Sequence, residues 1–178
     1  WDRQEADKLR SLGATALGPP GNLKYSSDPP AADAAALAAL AAAIGTRPLW
    51  LAASTHDGEE ALCAAAHRSL ASSIPGLLTV VAPRHPGRGA AIGELLSAQG
   101  LCWAQRSAGA LPAPETEVYL ADTLGEMGVL LRLSPIVLIG GSLVPHGGHN
   151  PIEAAQLDSA ILYGPPMTHF PGIADALG

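Results

Sequence analysis

The chain has 178 residues, 48% of apolar types, 4% aromatic and 15% charged, with 10 Lys+Arg against 16 Asp+Glu and a net charge of −6. That length and apolar content exclude a disordered chain and predict one domain, or one domain with a piece of another. The acidic balance excludes broad electrostatic binding to nucleic acid or to an anionic membrane surface, while leaving room for a local basic pocket.

Cys63 and Cys102 lie far apart and form no CxxC pair. No disulfide scaffold or structural zinc site is expected, both thiols are expected to be buried, and a reducing compartment fits. No apolar stretch approaches the about 20 residues that span a bilayer, and no leader segment is expected. Both ends read as cut from a longer protein.

In chain order, Trp1 to Leu12 predicts a charged amphipathic helix closed by Gly13. Leu17 to Asn22 is rich in Gly and Pro and reads as a linker. After Pro29 and Pro30, Ala31 to Ile44 predicts a helix with Leu37, Leu40 and Ile44 on one stripe. An alternation then begins. Strands are predicted at 49–53, 77–82, 101–104, 117–121, 136–139 and 160–163. Helices are predicted at 59–72, 87–99 and 124–133, with a short one after Pro151. Apolar strands alternating with helices predict an α/β fold, a Rossmann-like parallel sheet with helices on both faces. Ligands of such folds bind outside the carboxyl ends of the strands. The polar loops Ser54–His56, Pro83–His85, Asp122–Thr123 and Gly140–Asn150 all follow strands and are expected on one rim.

The strongest local signal is Gly140 to Glu153, where four glycines, Pro145 and Pro151 surround Ser142, His146, His149 and Asn150 directly after a buried strand. Glycines let backbone N–H groups approach an anion. Pro151 suits the first position of a helix with Asn150 as its N-cap, whose free N–H groups would face a ligand phosphate. Glu153, in the first turn, is placed to accept sugar hydroxyls. A metal reading of His146 and His149 finds no Cys and no third His nearby in sequence, so no metal is expected. Arg84 offers a planar cation suited to phosphate or carboxylate, and His85 a second donor. Ser54, Thr55 and His56 place polar groups before the next helix, where Asp57, Glu59 and Glu60 answer its dipole. His67 reads as a surface or core residue and His169 as a cap. Together these residues predict an anionic, sugar-bearing ligand, best fitted by a nucleotide or sugar nucleotide.

The Gly140–Ala154 stretch resembles the signature of the 3-deoxy-D-manno-octulosonic acid (Kdo) transferase family, the lipid A glycosylating enzymes. Trp50 with Ala53–Glu60, Val81–Arg88, Val118–Gly128 and Gly21–Tyr25 are similar to further stretches of that family, in its order along the chain. Met167–Pro171 departs from its pattern. The resemblance implies one half of a GT-B glycosyltransferase. Residues 1–25 would end the acceptor domain and form the linker, and 26–178 would be the CMP-Kdo (donor) binding domain, truncated at its carboxyl end. It implies metal-independent, inverting transfer of Kdo from CMP-Kdo to a lipid A precursor, without a cofactor. The catalytic base and the membrane contact would lie in the amino-terminal domain. The full-length protein would work at the cytoplasmic face of the bacterial inner membrane, and this fragment alone would be soluble and inactive.

Mapped residue by residue, the resemblance implies that Arg84 and His85 hold the cytidine end or the phosphate of CMP. Gly125, Glu126 and Met127 would present backbone groups to the base. Gly141, Ser142, His149 and the Asn150 helix end would surround the phosphate, and Glu153 the ribose. Ser54, Thr55 and His56 would face the Kdo carboxylate or the cleft. A UDP-sugar transferase, a 2-epimerase and a non-catalytic nucleotide-binding module are the alternatives. The last of these lacks a GxGxxG after the first strand.

Overall fold

The computed structural model describes residues 3–18 and 28–170. The Gly21–Tyr25 stretch, most of the expected linker and the expected final helix lie outside the described residues. Helix α1 runs Arg3–Ser11 and ends at Gly13, with the Ala14 N–H donating to the Leu9 carbonyl. Helix α2 is Ala34–Ile44. It starts three residues later than expected because Asp33 caps it, accepting from the Ala36 N–H at 2.7 Å.

The alternation then follows the predicted order: β1 Leu49–Thr55, α3 Glu59–Ala71, β2 Leu78–Pro83, a 3₁₀ turn at Pro86–Arg88, α4 Gly89–Ala98, β3 Trp103–Gln105, β4 Val118–Leu120, α5 Met127–Leu133, β5 Ile136–Ile139, α6 Ile152–Ala155 and β6 Ala160–Leu162. Helix α5 begins at Met127 rather than Leu124 because Gly125 adopts a left-handed conformation, φ 79°, that a helix cannot continue through.

All six strands are parallel, in the order β3-β4-β2-β1-β5-β6. From β1 the chain builds outward on one side. It then crosses back to place β5 on the other side of β1. The strand order therefore reverses between β1 and β5, and in open α/β sheets the crevice at such a reversal is the ligand site. The pleat sorts the core. Leu49, Leu51, Ala53, Val80 and Ile139 pack on the face that α2 and α5 cover. Trp50, Ala52, Val81 and Leu120 pack on the other, with Cys63 of α3 and Ile92 and Leu96 of α4. Both faces are buried, which is why these strands read as continuous apolar runs.

Arg47, just before β1, closes the amino end of the sheet. Its guanidinium donates to the carbonyls of Gly76, Leu77, Ala113 and Thr116. Cys63 is buried, and burial pushes its thiol up to about 12. Cys102 corrects the expectation of two buried thiols, since it precedes the short edge strand β3 and is exposed.

His67 is a core residue, fully buried on α3 with Nδ1 2.9 Å from the Thr79 hydroxyl. Burial holds its imidazole below the ordinary value, against the opposing pull of Glu117. The unfolded chain therefore takes up this proton first. The stability it contributes is complete above about pH 6.5 and is lost as pH falls toward the folded value. We expect the melting temperature to drop between pH 7.5 and 5.5, and to drop less in His67→Gln. Thermal melts at the two pH values check this.

Candidate functional site at the strand-order reversal

The carboxyl ends of β1 and β5 meet at the reversal. The Gly140 N–H donates to the Ala53 carbonyl at 2.8 Å. The β1–β2 register slips between Ala53 and Thr55, leaving Ser54 as an extra residue with φ 59°. A bulge re-aims the side chains that follow it. Ser54 turns to a pocket lined also by Met127, His149, Asn150 and Glu153, over an apolar floor of Ala53, Leu131, Ile139 and Ala154.

Beyond the bulge stands His56. Its Nε2 lies 2.7 Å from Nε2 of His149. The His146 ring stacks on it at 3.8 Å between centroids, and the His85 ring meets it edge-on at 6.0 Å. His169 reaches the same group through His146, at 5.8 Å, rather than serving only as a cap. Five of the six histidines therefore gather on one rim, brought from four separate loops. Burial holds His149 down at about 4, helped by His56, His146 and Arg84, and burial with His146 also lowers His56. Both are neutral near pH 7. Arg84 is exposed beside this group, its backbone N–H donating to the Thr55 carbonyl at 3.0 Å.

The rim is held by buried acids. Glu59 is 0% exposed and accepts from three backbone N–H groups, of His56 at 2.8 Å, Gly141 at 2.7 Å and Leu143 at 2.9 Å. It ties the start of α3 to the glycine-rich loop. Glu60 accepts from the Thr55 hydroxyl and from Arg88, which also reaches Asp57. In the sequence these acids answer only the helix dipole. The available signal was an acid three residues after His56, the spacing at which a side chain reaches back to the residue that starts a helix.

Two expected side chains face inward. The Thr55 hydroxyl is spent on Glu60. The buried Ser142 hydroxyl donates to the Ile139 carbonyl and accepts from the Gly164 N–H at 2.9 Å. Asn150 accepts from the Ile152 N–H at 3.3 Å, as a cap does, but α6 is a single turn of four residues. Its dipole is correspondingly small. The Glu126 carboxylate is held by Arg106 and Thr123, leaving only its backbone for a ligand. The Arg106 hydrogen bond keeps that carboxyl below its usual range, against the effect of burial. Burial pushes the Asp122 carboxyl up, but hydrogen bonds from Gln105 and Ser107 outweigh it, so this turn residue is structural. Glu153 is exposed at the pocket mouth.

A six-stranded parallel sheet covered by helices, with a pocket at its strand-order reversal, is the architecture of a Rossmann-like α/β domain. No family model matches the chain. It is 40% identical over 127 residues to a 3-deoxy-D-manno-octulosonic acid transferase of Haemophilus influenzae, covering 71% of this chain and 30% of that protein. It is 36% identical over 174 residues to the enzyme of that name from Bordetella pertussis, covering 94% of this chain and 40% of that one. The crystal structure of the C-terminal CMP-Kdo binding domain of WaaA from Acinetobacter baumannii superposes with a TM-score of 0.74 at 34% identity, covering 79% of this chain and 75% of that domain. The chain belongs to the Kdo transferase family and has the fold of its carboxyl-terminal domain. It spans 30% to 40% of the length of these two curated relatives. Among the described residues, no helix is long and apolar enough to cross a membrane.

Proposed function

We propose that this chain is the donor-binding half of a GT-B enzyme that moves Kdo from CMP-Kdo to a hydroxyl of a lipid A precursor in lipopolysaccharide biosynthesis. The observation that carries the reading is the meeting of the β1, β2 and β5 loops in one histidine group, through His56, His85 and His149, beside the pocket at the strand-order reversal. In the reaction, the acceptor oxygen bonds to the anomeric carbon of Kdo while the bond from that carbon to the CMP phosphate oxygen breaks. The electron pair stays on the phosphate, and attack from the opposite face inverts the centre. The acceptor proton goes to a general base, which we place in the amino-terminal domain, because among the described residues Glu153 is the one carboxylate that lines this pocket.

The task of this half is therefore to bind CMP and to stabilise the charge that grows on its phosphate. Arg84 is an exposed cation of the rim, and in the Gly140–Gly148 loop, where Glu59 takes the Gly141 and Leu143 N–H groups, those of Ser142, Val144 and Gly147 are left to a phosphate among the described residues. With α6 so short, these two carry the phosphate more than a helix dipole does. Glu153 at the pocket mouth takes the ribose, and the backbone of residues 125–127 takes the cytosine. The transfer uses no metal or cofactor. Whole-protein contact with the inner membrane, on its cytoplasmic face, belongs to the amino-terminal part.

Calorimetry with this chain tests the reading. CMP should bind more tightly than UDP, and the chain alone should transfer nothing. Tighter UDP binding would move the chain to a UDP-sugar enzyme, and transfer by the chain alone would contradict the two-domain arrangement. Arg84→Ala should weaken CMP about tenfold, the loss of one charge-assisted hydrogen bond. Its melting temperature should be unchanged, because the side chain is exposed. Calorimetry and a melt of the variant check both.

A further inference from the structure

We infer that His56, His146 and His149 form a binding site for a borderline divalent transition ion, with Zn²⁺ as the preferred occupant and one coordination position open to the cleft. This goes beyond the proposed donor-binding function, with which it shares His56 and His149, and it is tested without nucleotide. Along the sequence, His146 and His149 lack a third partner nearby. The fold supplies one in His56, from a loop 90 residues earlier in the chain. One ring nitrogen from each of the three lies within 4.8 Å of the others. Nitrogens bound to one tetrahedral Zn²⁺ stand about 3.3 Å apart, given Zn–N bonds of about 2.0–2.1 Å.

The His56 and His149 Nε2 atoms stand 2.7 Å apart, so the two rings must tilt and part by about 0.6 Å for both lone pairs to meet on one ion. Two of the three ligands sit on fixed backbone. The His56 N–H is anchored by Glu59, and the His149 N–H donates to the Gly140 carbonyl at 3.1 Å. His146 is exposed and can swing to complete the set. A set of three imidazoles without a carboxylate selects Zn²⁺, Ni²⁺ or Cu²⁺ over Mg²⁺ or Ca²⁺, which require oxygen. Three protein ligands leave the fourth position of a tetrahedral ion for solvent or a small anion.

The test uses the untagged 178-residue chain, stripped with a chelator. Zn²⁺ is titrated against a chromophoric competitor, and Co²⁺ is titrated with its visible ligand-field bands as readout. The expected result is one ion per chain, with the strong Co²⁺ absorption of a four- or five-coordinate site. His146→Ala, a change at an exposed position that leaves the fold intact by circular dichroism, should weaken Zn²⁺ more than about tenfold. His169→Ala, next to His146 but outside the set, should leave the affinity unchanged. Absence of stoichiometric binding would overturn the assignment. So would equal affinity in the wild type and His146→Ala, or an equal loss in His169→Ala.

Discussion

Glu59→Ala is expected to destabilise the chain by about 3–5 kcal/mol and to remove its affinity for CMP. Three backbone N–H groups, of His56, Gly141 and Leu143, converge on this one buried carboxylate. Alanine leaves the buried Gly141 N–H and the half-buried N–H groups of His56 and Leu143 without this acceptor, at about 1–3 kcal/mol for the first and about 1 kcal/mol for each of the others. That is a large fraction of the about 5–15 kcal/mol by which domains are stable. The loss falls on the site, because two of the donors belong to the glycine-rich loop and the third to His56. Glu59→Gln keeps one acceptor oxygen but turns an NH₂ toward donors, so it should fall between wild type and alanine. Urea unfolding of the three proteins gives the order, and an unchanged midpoint in Glu59→Ala would show that the carboxylate does not hold the loop.

Gly140→Ala is expected to melt about 10 °C lower than the wild type, the shift that about 3 kcal/mol produces in a chain of this size. A Cβ on Gly140 would stand 2.2 Å from the Ser54 carbonyl oxygen and 2.7 Å from that of Ala53. Both obstacles are backbone, so no rotamer change relieves the overlap, and β1 must part from β5 where the pocket opens. Gly87→Ala is the matched control, because its Cβ would meet nothing within 4 Å. A melt of Gly140→Ala that matches Gly87→Ala would show that the two strand ends are not in close contact.

The order of elements and the buried sheet were legible because each strand is a short apolar run bounded by Gly, Pro or polar residues. Periodicity sees burial. It does not see caps set by single atoms, which is why α2 was placed three residues early despite Asp33, and α5 despite Gly125. The rim was legible as a set of loops, but the direction of each side chain was not. Thr55 and Ser142 read as ligand-facing hydroxyls. The bulge at Ser54 flips the alternation, and Gly164 claims the Ser142 oxygen from 22 residues away. The meeting of His56 with His149 spans 93 residues and depends on β1 and β5 being neighbours, a fact of topology that no local spacing carries. Glu59 was visible as an acid at a helix start. Its role as a clamp needed Gly141 and Leu143, more than 80 residues downstream.

A crystal of this chain soaked with CMP tests most directly whether the loops at the β1–β5 crevice grip a cytidine monophosphate. The nucleotide phosphate should lie between the Arg84 guanidinium and the Gly140–Asn150 loop, with the ribose hydroxyls within hydrogen-bond reach of Glu153. Nucleotide bound elsewhere on the sheet, or an empty crevice at saturating CMP, would contradict it.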